Sequence, residues 1–350
     1  MKKLIIVSTK PDGGVGGGIP SALIGYMDGL HEQEVSFEVV ESHHENKNVI
    51  TSWFIAFFKI FYLSIKYRKS AVFWFHCGPW LSMFRKFTLA LSPLIFGSLT
   101  IAHIHSPTYS NYLTKNRFSN FLVKLGLFPF KKVFVLTSWW KELLIANNIR
   151  QEIIISPNPC NKRYCELAHL ALNREFISRE ATSFQILTMA RLIKGKGVEH
   201  VIRAMAILPE KFVLIIAGDG PLKAELEQLV RQLSIEKRVS FVGWVNGDQK
   251  EKLLTESNLF CLPSTYDSFG MVFIEAMSFN LPVIANGWGP INDVVTPDVG
   301  ICCKEPTAKL VAEAILNIEK NIGKYFGKGP NKILKSYTPE IVVKNIIPFL

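Results

Sequence analysis

From residue 48 to residue 141 the chain contains no aspartate and no glutamate. That gap removes carboxylates from about a quarter of its 350 residues. It speaks against any chemistry needing catalytic carboxylates in that stretch. The six cysteines (77, 160, 165, 261, 302 and 303) form no CxxC pair and show no metal-ligand spacing, so free thiols in a reducing compartment are expected. No stretch gives about 18 uninterrupted apolar residues. Residues 51–65 come closest but are broken by Lys59, and residues 87–104 are broken by Pro93 and Gly97. The opening MKKLIIVSTKPDGG begins like a signal peptide, yet its apolar run is too short and a Gly-rich loop stands where a cleavage site would be. We read it as a first strand. No helix-turn-helix, zinc-finger or ribonucleoprotein signature is found, so no nucleic-acid partner is expected. There is no internal repeat and no low-complexity segment.

What is present is a globular composition, 48% hydrophobic and 20% charged, with a net charge of +11. The length suits two domains of roughly 150 residues each. The acid-free window holds Lys59, Lys66, Arg68, Lys69, Arg85, Lys86, Lys115, Arg117, Lys124, Lys131, Lys132 and Lys141, interleaved with Trp53, Phe54, Phe57, Phe58, Phe61 and Tyr62. Basic and aromatic residues in that mixture suit an anionic membrane surface; ordinary helices with solvated basic faces are the alternative.

Apolar runs alternate with helical patterns, the signature of α/β domains with parallel sheets. The first half reads KKLIIVS, FEVV, AVFWFH, LTIAHIH and KKVFVLT. A turn-rich SPNPCNKRY at 156–164 marks a linker, after which come FQILTMA, FVLIIAGDG, VSFVGWV, LFCLPS and LPVIAN. Two doubly wound domains follow, with a ligand cleft between them as the expectation. The domain limits are expected at 1–160, 161–330 and a last helix at 331–350.

Several residues at strand ends carry chemistry. In ARLIKGKG, Arg191, Lys194 and Lys196 stand past a strand, where cations neutralise a diphosphate; a solvated surface is the bland alternative. In GGVGGGIPS (13–21), Gly17 and Gly18 would let a ligand approach a helix N-terminus, though Pro20 and the spacing fit a nicotinamide fingerprint poorly. His76, His103 and His105 end two strands, where imidazoles meet substrate hydroxyls; satisfied structural histidines are the default. In YDSFGMVFIEAM (266–277), Asp267 or Ser268 is expected to cap a helix starting near Phe269. The N–H groups of Phe269, Gly270 and Met271 would then bind an anion or hydroxyl. Glu275 inside the apolar segment needs partners, for which paired ribose hydroxyls are suitable.

Together these segments resemble the retaining glycosyltransferases of the GT-B fold, in the large group-four class. The resemblance spans nearly the whole chain. ARLIKGKGVEHVIRAM is similar to the family's donor-diphosphate segment, and AGDGPLKAELE and VGWV to its next two landmarks. YDSFGMVFIEAMSFNLPVIAN is similar to its E-x7-E segment, the most specific match. FVLTSWWKELL and SPNPCN also fit, and SYTPEIVVKNIIPFL resembles the last helix, which crosses back to the N-terminal domain. The resemblance implies a nucleotide-sugar donor on the second domain and an acceptor, saccharide or lipid-linked, on the first. Arg191 and Lys196 would bind the diphosphate, with Gly17 and Gly18 against it. Glu275 would bind the ribose, and the backbone of Phe269, Gly270 and Met271 the sugar and phosphate. His105 matches the histidine near the sugar's reactive face, with His103 the alternative, and Asp267 stands in the catalytic acidic place. No cofactor or divalent metal is implied, because lysine and arginine supply the charge. Two departures bear on donor identity and not on the diphosphate residues. Asp267 replaces the family's first Glu, and the GGxxE loop reads GWGPIND (287–293). The implied role is hexose transfer in bacterial surface polysaccharide synthesis, at the cytoplasmic face of the membrane. A non-catalytic sugar-nucleotide-binding subunit and an epimerase are the alternatives.

Overall fold

The structure is a computed structural model that describes residues 2–9, 18–43, 48–173 and 183–350. The chain divides into two units, Met1–Lys162 joined by Tyr337–Leu350, and Arg163–Ser336.

In the first unit the order is β1 (Lys3–Thr9), α1 (Gly18–Glu32), β2 (Phe37–His43), α2 (Val49–Tyr67), β3 (Ala71–Cys77), α3 (Trp80–Ile95), β4 (Leu99–Ile104), α4 (Thr108–Thr114), α5 (Arg117–Leu127), β5 (Lys132–Val135), α6 (Ser138–Ala146) and β6 (Glu152–Ile155). The six strands pair in parallel in the order β2-β1-β3-β4-β5-β6. Strands of such a sheet are covered on both faces and read as unbroken apolar runs; all seven residues of β3 are buried. The walk from β1 goes first to β2 and then, from β2, back past β1 to β3, β4 and β5. Right-handed crossovers therefore put α1 on one face of the sheet and α2, α3 and α5 on the other.

The second unit runs α7 (Lys162–Leu172), β7 (Phe184–Met189), α8 (Val198–Met205), β8 (Phe212–Ala217), α9 (Lys223–Gln232), β9 (Val239–Gly243), α10 (Gly247–Glu256), β10 (Leu259–Leu262), α11 (Met271–Ser278), β11 (Val283–Asn286), α12 (Ile291–Val294), β12 (Gly300–Cys303), α13 (Ala308–Lys320) and α14 (Lys328–Ser336). Its sheet order is β12-β11-β10-β7-β8-β9, again all parallel. The strand order reverses between β7 and β10, and ligands of open α/β sheets bind outside the carboxyl ends of strands at such a point.

A last helix, α15 (Pro339–Ile346), belongs to the first unit and packs on α1. Its Val342, Val343 and Ile346 join Leu4, Leu23, Tyr26 and Trp74 in one core cluster. The sequence reading began this return at residue 331, which falls inside α14. That helix lies against α11, where a Cβ on Gly329 would stand 2.9 Å from the Met277 carbonyl oxygen. The return therefore starts at Tyr337.

The α1–α15 contact depends on Gly29. A Cβ there would lie 2.3 Å from the Pro339 carbonyl oxygen and 2.6 Å from Val343 Cγ2. Gly29→Ala is expected to cost about 1–3 kcal/mol, because neither neighbour can move without shifting a helix. Urea unfolding of the variant checks it, and an unchanged midpoint would contradict the contact.

Candidate functional site

The second unit gathers its polar residues at the switch point. The loop after β7, residues 190–197, and the loop after β10, residues 263–270, are stitched together. Thr265 N and the Ser264 and Thr265 hydroxyls all donate to the Gly195 carbonyl, at 2.8, 3.2 and 3.2 Å. Gly197 caps α8 with φ 73°, and a Cβ there would sit 2.5 Å from the Pro263 carbonyl oxygen, so only glycine lets the two loops touch. The loop after β8 joins them, since Leu192 N donates to the Asp219 carbonyl at 2.8 Å.

Across that seam Lys196 meets Asp267. Lys196 Nζ lies 2.8 Å from Asp267 Oδ1 and 3.2 Å from the Tyr266 carbonyl, with both side chains mostly shielded. Asp267 Oδ2 is buried and takes no hydrogen bond from the described residues. Buried acceptors normally find donors, so this one is suited to a ligand hydroxyl. The expected cap is corrected here. α11 starts at Met271, its cap is Gly270 at φ 76°, and no side chain caps it. Asp267 is drawn to Lys196 instead, because an ion pair at 2.8 Å in a shielded site outweighs one neutral capping bond. Phe269 is buried, and Arg191 lies exposed just past β7.

Glu275 sits about one turn into α11 and is 9% exposed. Its partner was not anticipated: Lys250 of α10, with Nζ 2.6 Å from Glu275 Oε2. The ammonium also lies 5.6 Å from the centre of the Tyr164 ring. Lys250 belongs to a polar helix, GDQKEKLLTE, in which nothing separates it from Lys252 by pattern. Each carboxylate of the Asp267–Glu275 segment is thus neutralised by a lysine from a different element.

In the first unit the carboxyl ends of β3 and β4 bring three histidines together. His76 Nδ1 lies 3.0 Å from His105 Nε2, and His103 Nε2 donates to the Ser156 carbonyl at 3.2 Å. Tyr26 closes the group, donating to the Pro157 carbonyl at 2.8 Å. Burial pushes the His105 imidazole down to about 3, Lys86 adds to the effect, and a hydrogen bond with Asn158 offsets part of it. Burial foremost also holds His76 and His103 well below the ordinary imidazole range, so all three rings are neutral. Their nitrogens lie within 4.8 Å of one another. Yet His103 and His105 pack ring against ring with centroids 4.1 Å apart, and the Lys86 charge bears on His76 and His105.

Lys86 itself is a correction. It was counted among the basic surface residues, but it is only 2% exposed. Its Nζ donates to Ser82 Oγ at 2.8 Å, and burial pushes its ammonium down to about 8. Gly18 begins α1 with open space around it, while Gly17 lies outside the described residues.

Residues 172–326 match the family model for glycosyl transferases group 1. An uncharacterized glycosyltransferase of Methanocaldococcus jannaschii is 38% identical over 116 residues, 33% of this chain and 30% of that protein. An N-acetylgalactosamine-N,N'-diacetylbacillosaminyl-diphospho-undecaprenol 4-alpha-N-acetylgalactosaminyltransferase of Campylobacter jejuni is 29% identical over 273 residues, 73% of this chain and 70% of that protein. Among solved structures, sucrose-phosphate synthase from Thermosynechococcus elongatus superimposes with a TM-score of 0.77 at 19% identity, over 100% of this chain and 98% of that one. An Anabaena protein in complex with UDP and glucose gives 0.71 at 16% identity, over 100% and 99%. Residues 172–326 are thus similar to the glycosyl transferases group 1 family, and the two parallel six-stranded sheets are those of the GT-B fold.

Proposed function

We propose that this chain is a retaining glycosyltransferase. It moves a hexose from a nucleotide-diphosphate sugar to a saccharide or lipid-linked acceptor in bacterial surface polysaccharide synthesis, as a peripheral protein at the inner face of the membrane. The observation that carries the reading is the meeting of Lys196 and Asp267 at the β7/β10 switch point, with Glu275 shielded one turn further on. Support also comes from the Anabaena neighbour, which holds UDP and glucose, and from the Campylobacter relative, whose named acceptor is a diphospho-undecaprenol.

In this reading Arg191 and Lys196 hold the donor diphosphate, and no metal is needed because they supply the positive charge. The backbone of Phe269, Gly270 and Met271 meets the sugar and phosphate. Glu275 takes the ribose hydroxyls, and the spare oxygen of Asp267 takes a sugar hydroxyl. The bond from the anomeric carbon to the β-phosphate oxygen breaks, and the acceptor oxygen bonds on the same face. The acceptor proton goes to the departing phosphate, whose new charge Lys196 stabilises. His105, neutral at working pH, offers a hydrogen bond near the sugar's reactive face and carries no charge of its own.

A thermal-shift screen tests the donor class. Matching nucleotide diphosphates and their sugars bind only the folded state and are expected to raise the melting temperature by several degrees at about 100 times Kd. No shift with any UDP, GDP or dTDP compound would overturn the reading.

A further inference from the structure

The helix α2 is built inside out. Its buried stripe is Ser52, Ala56, Ile60, Leu63 and Ser64. Its outward stripe is Ile50, Phe54, Phe58, Tyr62 and Ile65, with Ile50, Phe58 and Tyr62 each at least 60% exposed. A water-facing helix of a globular domain carries the reverse pattern. The segment Val49–Ser70, with a mean hydropathy of 1.5, is long and apolar enough to cross a membrane. It is nevertheless held along the first unit. Trp53 Nε1 donates to Thr88 Oγ1 of α3 at 3.1 Å, Phe61 packs on Phe96 at 5.8 Å, and Lys59 pairs with Glu38 of β2 at 2.9 Å. A helix pinned by one side for its whole length has only its other side to offer.

The layer continues that offered side. α3 and α5 share the sheet face with α2; they expose Leu81, Phe84, Phe118 and Phe121, of which Leu81 is 76% exposed, and Phe128 stands exposed just past α5. Exposed aromatic and aliphatic side chains on three helices of one sheet face are the kind of surface that marks an interaction site. Its charge tells which. Lys66, Arg68 and Lys69 stand exposed at the end of α2, Lys115 and Arg117 before and at the start of α5, and no carboxylate occurs between residues 48 and 141. A protein partner would meet apolar surface at such a patch as well, but exposed cations beside it, with only Glu38 of β2 paired to Lys59, complement a plane of phosphates.

We propose that the outer face of the α2–α3–α5 layer docks on an anionic lipid bilayer, with α2 lying in the interface plane and not across it. The inference rests on the peripheral location proposed above and supplies the surface for it.

Sedimentation of the full chain with vesicles tests it. The protein is expected to bind phosphatidylcholine/phosphatidylglycerol (7:3) vesicles at least tenfold better than phosphatidylcholine alone at low salt, and to lose most of that preference in 0.5 M NaCl. The double variant Phe54→Ser/Phe58→Ser should bind at least tenfold less, and Arg68→Glu/Lys69→Glu should lose the lipid preference. Both sites are exposed, so unchanged melting curves will show that the variants fold. Equal binding of parent and variants overturns the proposal. So does a parent dimer by light scattering that the serine variant converts to monomer, since a second copy would then cover the face. Nucleotide binding measured in solution separates the two readings: vesicle failure with nucleotide binding retained sinks the docking surface alone.

Discussion

Replacing Lys196 by alanine is expected to lower kcat/KM for sugar transfer by about 10²–10³, the usual cost of removing one preorganised group from a developing negative charge. The fall should appear mainly in kcat, because the phosphate is most negative as it leaves. Lys196→Arg keeps the charge and is expected to restore part of the rate. Glu275→Ala acts differently. In the proposed reading it removes a ground-state contact to the ribose, and it leaves Lys250 without its partner at 2.6 Å, so KM should rise with kcat less affected. The two variants are compared by steady-state kinetics against the donor found by thermal shift. Rates within threefold of the parent for both would remove the donor site from the second unit.

Replacing Lys86 by methionine is expected to stabilise the protein. A lysine whose ammonium is pushed from 10.5 down to about 8 by burial carries a penalty of about 3 kcal/mol at pH 7. The sign follows from proton counts. Between about pH 8 and 10.5 the unfolded chain keeps this proton while the folded chain has lost it, so the parent gains stability as pH rises through that window. The penalty is complete below about pH 8 and gone above 10.5. Methionine keeps the volume and removes the titration. The variant should therefore be more stable by about 1–3 kcal/mol at pH 7, and its lead should fall by about 2 kcal/mol on going to pH 9.5. Urea unfolding at the two pH values reads the difference. A variant less stable than the parent at both would mean that the Ser82 hydrogen bond outweighs the desolvation. The cost stands because no carboxylate acts on this ammonium: burial, the Cys77 thiol and the Arg85 guanidinium are what it meets.

Ten of the twelve strands were legible because parallel strands covered on both faces leave continuous apolar runs such as AVFWFH. The two missed were β6 and β12, each four residues long at a sheet edge, and EIII and GICC are too short to stand out. The cations and carboxylates of the segment proposed to hold the donor stand out in the sequence, but their pairing does not. Asp267 looked like a cap because it precedes a helix by a few residues, and only the fold shows that a lysine seventy residues earlier competes for it. Lys86 and Lys250 were illegible for the same reason. Burial of a lysine and the choice of its partner are set by neighbours distant in sequence, whereas Lys86 follows Arg85 like a snorkelling surface pair and Lys250 sits in an ordinary polar helix. The aromatic content of α2 was visible, but its outward direction was not, since Ser52 and Ser64 give no hint that they face inward.

The discontinuous first unit has a consequence for biosynthesis. Its core includes Val342, Val343 and Ile346, which the ribosome makes after the whole of Arg163–Ser336. The second unit can complete itself first, while the earlier-made strands wait with one flank of α1 uncovered. Nascent chains arrested before Tyr337 should therefore be protease-resistant over the later-made half and cleavable in the earlier-made one, an inversion of the order in which translation usually matures its products.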